Sequence, residues 1–138
     1  MLPQILERLK SRGYRLTRAR KAIIEILLGS RQPLDVNAVR VLLTEKNLNV
    51  NKTTVYRELD FLKGENLIRE IQLGDGKRRY EVLGDDHHHH LVCMNCDMVE
   101  CVELERCMEE EERRIFEKSS FRAINHSLKF FGLCAKCQ

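Results

Sequence analysis

The chain has 138 residues, room for one ordinary domain or for two small ones that lean on each other or on a second copy. Its apolar runs, such as 22–24 and 26–28 on either side of Glu25, fall far below the roughly 20 residues that a membrane-spanning helix needs. The net charge of +3 hides an asymmetry: residues 1–83 carry 17 Lys/Arg against 10 Asp/Glu and residues 84–138 carry 7 against 11, so only the first part has the electrostatics of a polyanion binder.

Residues 1–7 lack the basic-then-apolar pattern of a secretory signal, so a cytoplasmic protein without membrane contact is expected. Thiols stay reduced there, and the six cysteines read as metal ligands or buried thiols. Apolar periodicity places a short helix over residues 3–11 with Ile5, Leu6 and Leu9 inward. Thr17 suits the N-cap of a second helix that buries Ala22, Ile23, Ile26 and Leu27 and stops at Gly29. Asp35 suits the cap of a third, with Val39, Leu42 and Leu43 inward before Asn47. A fourth begins after Asn51, runs to about Lys63 and ends at Gly64. Two strands follow, 67–73 and 78–83, joined by Gly74-Asp75-Gly76, a hairpin turn signal. Helices followed by a hairpin describe a winged helix-turn-helix.

The fourth helix carries the chemistry of this half. Val55, Leu59 and Leu62 recur at i, i+4 and i+7 and should face the core, which leaves Asn51, Lys52, Thr53, Tyr56 and Arg57 on or beside another face. Such a helix suits a DNA major groove. Its N-terminal amides and Lys52 can hold phosphate, Tyr56 can meet a thymine methyl, and Arg57 can reach a phosphate or a purine edge.

Beyond residue 86 the composition changes. Residues 87–104 read as two strands around a turn at 95–97, residues 105–119 as a helix, and residues 121–138 as a last strand that includes His126 and ends in a second Cys-x-x-Cys. In each of Cys93/Cys96 and Cys134/Cys137 the two thiolates can take one edge of a tetrahedron, so the two pairs complete an all-cysteine structural zinc site. Cys101 and Cys107 are left as buried thiols. Four consecutive histidines, His87 to His90, enter the first of these strands. Side chains alternate in extended chain, so His87 and His89 should point one way and His88 and His90 the other, each pair about 7 Å apart. One short run can thus feed two metal sites, with Glu81, Glu100, Glu103, Glu109 and His126 as further ligands and Zn, Fe, Mn or Ni as candidate ions.

These segments together resemble the ferric uptake regulator family, metal-dependent DNA-binding repressors that act as homodimers. The resemblance runs nearly end to end and rests on "GYRLTRARKAI" at 13–23, "TTVYRELDFL" at 53–62, "GDGKRRYEV" at 74–82, "HHHHLVCMNC" at 87–96, "NHSLKFFGLC" at 125–134 and the closing "CAKC". It implies an α+β protein: a winged-helix DNA-binding domain over 1–83, a hinge at 84–86, and a small α/β dimerisation domain over 87–138 with structural zinc on Cys93, Cys96, Cys134 and Cys137. It also implies base contacts by Tyr56, phosphate contacts by Arg57 and a minor-groove contact by Arg15.

Carried over by position, the family's hinge metal site falls on Glu81, His88 and His90, and its second site on His87, His89, Glu109 and His126. Two departures stand out. The hinge site usually takes a histidine from the loop before the third helix, which here reads "RQPLD", and residues 1–86 contain no histidine at all. The acidic residue usual five positions after the second cysteine of the first pair is Cys101, so Cys101 or Glu103 is the candidate to complete the hinge set. A one-residue insertion precedes Glu109. The resemblance favours an iron-sensing repressor of metal uptake genes that binds a double-stranded operator, with Fe2+, or else Mn2+ or Zn2+, as regulatory ion. Peroxide sensing is linked to an aspartate where this chain has Glu81, and zinc sensing to a cysteine there. A zinc hydrolase would need a pocket and a positioned base, and would leave the basic winged helix unexplained.

Overall fold

A computed structural model describes residues 1–84 and 88–138, which form two compact units, Met1–Leu83 and Gly84–Gln138. Asp85, Asp86 and His87, and with them most of the expected hinge, lie outside the described residues.

In the first unit α1 (Leu2–Ser11), α2 (Arg18–Gly29), α3 (Val36–Glu45) and α4 (Lys52–Gly64) precede a hairpin of β2 (Ile68–Gln72) and β3 (Arg78–Val82). Three helices start on side-chain caps, at the expected Thr17 and Asp35 and at Asn51, after which the fourth was expected to begin. Thr17 accepts from the Arg20 amide, Asp35 from that of Ala38 and Asn51 from that of Thr54, satisfying amides that a helix start leaves open. Asn47 and Asn66, both at left-handed φ (59° and 55°), turn the chain after α3 and α4. Leu9, Ile23, Val39, Leu43, Val55, Leu59, Leu62 and Tyr80 are completely buried, so the predicted stripe of α4 is the centre of the core. Leu6 and Leu42, expected inward, are half-buried at its margin. A two-residue strand, β1 (Leu34–Asp35), pairs with β3 to give the sheet order β1-β3-β2; it is too short to leave a periodic signal.

The second unit is a three-stranded sheet, order β5-β4-β6, from β4 (His89–Cys93), β5 (Val99–Val102) and β6 (Lys129–Gly132), with α5 (Glu109–Ser119) in the connection between β5 and β6. β5 runs antiparallel to β4, and β6 parallel to it. Two expected elements are shorter than their apolar residues suggested. α5 begins at Glu109 and not at 105, because Met108 is left-handed (φ 51°) and breaks the helical path. The last strand is confined to Lys129–Gly132, so His126 lies in irregular chain before it and not within it.

Candidate metal centres and nucleic-acid interface

The four-cysteine group follows from the sheet. β4 ends at Cys93, and the chain turns back through 94–97, where Asp97 at φ 59° returns its amide to the Cys93 carbonyl. The parallel register sets Cys93 beside Gly132, two residues before Cys134, whose amide donates to Cys93 Sγ at 3.3 Å. The sulfurs of Cys93, Cys96, Cys134 and Cys137 all lie within 4.8 Å of one another, with Cys96 and Cys134 at 3.8 Å. A tetrahedral zinc at about 2.3 Å from each sulfur requires separations of roughly 3.8 Å, so the donor set fits that ion. The amides of Cys134, Cys96 and Asn95 pull the Cys93 thiol down to about 6. The Met98 amide acts in the same sense on Cys96, but burial and the sharing of protons with the Cys93, Cys137 and Cys134 sulfurs push that thiol up to about 12. Four sulfurs so placed cannot all ionise alone; a dication among them removes the conflict.

The histidine run divides as strand geometry requires. His88, His90 and Cys101 bring three ligand atoms within 4.8 Å, with the two imidazoles 5.3 Å apart and edge to face. Cys101 arrives there because the register pairs it directly with His90 across β4 and β5. Glu103 is exposed and does not join the group. Glu81, on β3 of the first unit, is buried and accepts a hydrogen bond from Arg69 Nε at 2.6 Å.

His89 points to the other side and meets a different set. Cys107 Sγ lies 2.8 Å from His89 Nε2 and 2.8 Å from His126 Nε2, and the two rings stack at 5.6 Å. Glu112 Oε1 sits 2.7 Å from His126 Nδ1. Glu109, expected in this set, is exposed at the start of α5 and takes no part in the group. The left-handed turn at Met108 starts the helix so that Glu112, one turn on, faces His126. His87, the fourth expected member, lies outside the described residues. Sequence reasoning missed Cys107 and Glu112; only the true start of α5 would have separated them from the other acidic and thiol groups nearby.

The basic surface gathers around the start of α4. Lys52, Thr53 and Arg57 are exposed, Tyr56 is half-buried, and Lys52 Nζ stands 5.9 Å from the Tyr56 ring centre. Asn51 Oδ1 is committed to its cap at 2.8 Å, which leaves its amide hydrogens for another acceptor. A depression of about 290 Å³ runs between Lys52 and Tyr56, the first residues of α3, and Gly76, Lys77 and Arg78 of the hairpin. Lys77 and Arg78 were not singled out in the sequence, although a turn joining two strands after a recognition helix places its basic residues on that side. Arg15 is exposed before α2, and its carbonyl is held by Arg20. Arg20 also grips Glu58 through two hydrogen bonds, 2.8 and 3.2 Å, and lies 3.9 Å over Phe61. This fixes the orientation of α4 on α2.

A basic, capped helix beside a basic hairpin, joined in one chain to a sheet with three convergent cysteine and histidine groups, defines a metal-binding winged-helix protein. The profile of the ferric uptake regulator family matches residues 11–131, and the chain belongs to that family of regulators, not to a family of enzymes. It is 36% identical over 140 residues to the ferric uptake regulation protein of Bacillus subtilis (strain 168), covering 99% of this chain and 93% of the relative. The peroxide operon regulator of the same organism is 29% identical over 136 residues, covering 99% and 92%. The Helicobacter pylori ferric uptake regulator, whose structure is described as revealing three functional metal binding sites, superposes with a TM-score of 0.84 at 28% identity, covering 99% of this chain and 93% of that one.

Proposed function

We propose that this chain is a metal-responsive repressor that senses iron, binds a double-stranded DNA operator as a cytoplasmic homodimer and controls metal uptake genes. The observation that carries the reading is the splitting of one histidine run into two separate donor groups beside a four-cysteine clamp, in a chain whose other unit presents a basic helix. Zn2+ on Cys93, Cys96, Cys134 and Cys137 would hold the ends of β4 and β6 together. His88, His90 and Cys101 would hold the regulatory ion, with Glu81 as a further candidate ligand; His89 and His126, and His87 by its place in the run, would serve the other site.

A bound divalent ion supplies positive charge and a fixed link among its ligands. Glu81 lies one residue before the end of β3, and its carboxylate, which accepts from Arg69 Nε through Oε1, would be a further ligand for that ion in competition with the guanidinium. Ion binding at His88, His90 and Cys101 would favour the form of the dimer in which two recognition helices meet successive half-sites. In that arrangement Lys52, Thr53, Tyr56 and Arg57 enter the major groove, Asn51 contacts its border, Arg15 reaches the minor groove, and Lys77 and Arg78 follow the backbone.

A second copy of the chain is supported by the apolar surface of the second unit. α5 buries no residue, yet Phe116 is 53% exposed, Phe131 53% and Ile124 93%. Zinc sensing is the second reading, favoured by one observation: a thiol, Cys101, stands in the group with His88 and His90.

The test uses the zinc-loaded protein, a duplex selected from a random pool by that protein, and Fe2+, Mn2+ or Zn2+ at buffered free concentrations. Binding that strengthens with Fe2+ at concentrations where Mn2+ and Zn2+ have less effect supports iron sensing. Binding that strengthens only with Zn2+ supports the second reading, and binding indifferent to all three ions and to chelator removes both.

A further inference from the structure

The group around Cys107 differs in chemistry from a site built of imidazoles and carboxylates. Three donor atoms converge on one point: Cys107 Sγ is 2.8 Å from Nε2 of both His89 and His126, and all three atoms lie within 4.8 Å of one another. His89 is only 2% exposed, and Cys107 and His126 are half-buried, so the point of convergence is shielded. Glu112 engages the far nitrogen of His126, Nδ1, at 2.7 Å. That is the carboxylate–imidazole arrangement that fixes the tautomer of a metal-binding histidine and orients its ring. It leaves His126 Nε2 with a lone pair aimed at the sulfur. Cys107 can occupy this position because it precedes the left-handed Met108 and is not carried on α5.

We propose that His89 Nε2, Cys107 Sγ and His126 Nε2 form a thiolate-bearing metal site, supported by Glu112, that takes Zn2+ or Co2+ in preference to Fe2+ or Mn2+. The physical ground is ligand softness. A thiolate with two imidazoles suits borderline ions that accept tetrahedral geometry, whereas Mn2+ and Fe2+ gain more from oxygen donors and higher coordination. On ion binding the Cys107 proton leaves to solvent, and the sulfur becomes a full anionic ligand. The consequence for regulation is a division of labour: this site would answer to zinc-like ions regardless of what occupies the group of His88, His90 and Cys101. The proposal rests on the second unit being a metal-binding unit, and not on DNA recognition.

The test is a Co2+ titration of the zinc-loaded protein, with zinc retention checked by metal analysis so that the four-cysteine group stays out of the signal. Sulfur-to-cobalt charge transfer in the near ultraviolet reports a Co–S bond, and Cys101→Ala removes the other candidate sulfur. In the Cys101→Ala protein, Co2+ should give the sulfur band, and the further change Cys107→Ala should abolish it. Cys107→Asp should lower the Zn2+ to Mn2+ affinity ratio of this site by about tenfold or more, the scale on which changes around a metal alter affinity. On the unmutated chain, Zn2+ added beyond the first equivalent should slow iodoacetamide alkylation of Cys107, read by peptide mapping, to a similar degree. Co2+ bound without a sulfur band, or Cys107 alkylated equally with and without added Zn2+, would overturn the thiolate assignment. A chain that binds no Co2+ beyond the four-cysteine group would instead overturn the wider reading of the second unit.

Discussion

Replacing Cys134 with serine should unfold the second unit and leave the first intact. Among the described residues the second unit buries only Val92, Cys93 and Val99 as apolar side chains, and α5 adds none. Complete burial of two valines contributes about 3–6 kcal/mol. A structural zinc on cysteine ligands has an apparent affinity of about 10–16 kcal/mol at neutral pH, so the clamp outweighs the local apolar core by about 4 kcal/mol or more. The mechanical case is as direct. β6 has only four residues to pair with β4, and Cys134, two residues beyond its end, adds a tie to β4 through Cys93. Metal analysis combined with amide hydrogen exchange checks this. Zinc should be lost, and protection of the β4 and β6 amides should fall to that of an unstructured segment, while α2 and α4 keep theirs around a core of 16 buried residues. A Cys134→Ser protein that lacks zinc and still protects β4 and β6 would refute the reasoning.

Tyr56→Ala should relax sequence preference, with about 1–3 kcal/mol lost on the preferred duplex and little on random DNA, whereas Arg57→Ala should weaken binding to both and reduce the salt slope by about 1; fluorescence anisotropy at several salt concentrations distinguishes them. Arg79 donates to Asp75 at 3.0 and 2.6 Å and holds its carboxyl below the usual aspartate range. That pair's stability is therefore fully present above the unfolded-state pKa and is lost as pH falls through the lower folded-state value, so Asp75→Asn should flatten the acid limb of wing unfolding measured by hydrogen exchange. Arg69→Met should release Glu81 from its guanidinium and lower the free metal concentration needed for DNA binding, measured with buffered ions; an unchanged midpoint would mean that Arg69 and the ion do not compete.

What the sequence made readable were the features that depend on backbone geometry and local chemistry. Thr17, Asp35 and Asn51 cap helices because their short oxygens reach an amide three residues on, and no tertiary information is needed to see it. The stripe of Val55, Leu59 and Leu62 and the alternation that separates His89 from His88 and His90 are likewise properties of a helix and of a strand. Cys107 and Glu112 were hidden for a specific reason. The acidic run 109–112 offers four equivalent candidates, and the left-handed Met108 that selects among them has no side-chain signature. Cys101 stood in view only as one of two possibilities, because cross-strand register decides between it and Glu103. β1 gave no signal, since two residues have no period, and Lys77 and Arg78 needed the hairpin to be set beside α4 before their place next to Lys52 and Tyr56 could be seen.

On the proposed function, His88, His90 and their partners convert metal binding into DNA binding, whereas His89 and its partners do not. Two double variants, His88→Ala with His90→Ala and His87→Ala with His89→Ala, are titrated with buffered metal in the presence and absence of the selected duplex, with zinc content and oligomeric state recorded in parallel. The first pair should abolish metal-dependent DNA affinity in a zinc-loaded dimer, and the second should keep the metal response while lowering dimer stability. A His88→Ala, His90→Ala protein that answers metal as the unmutated chain does would contradict the proposed function.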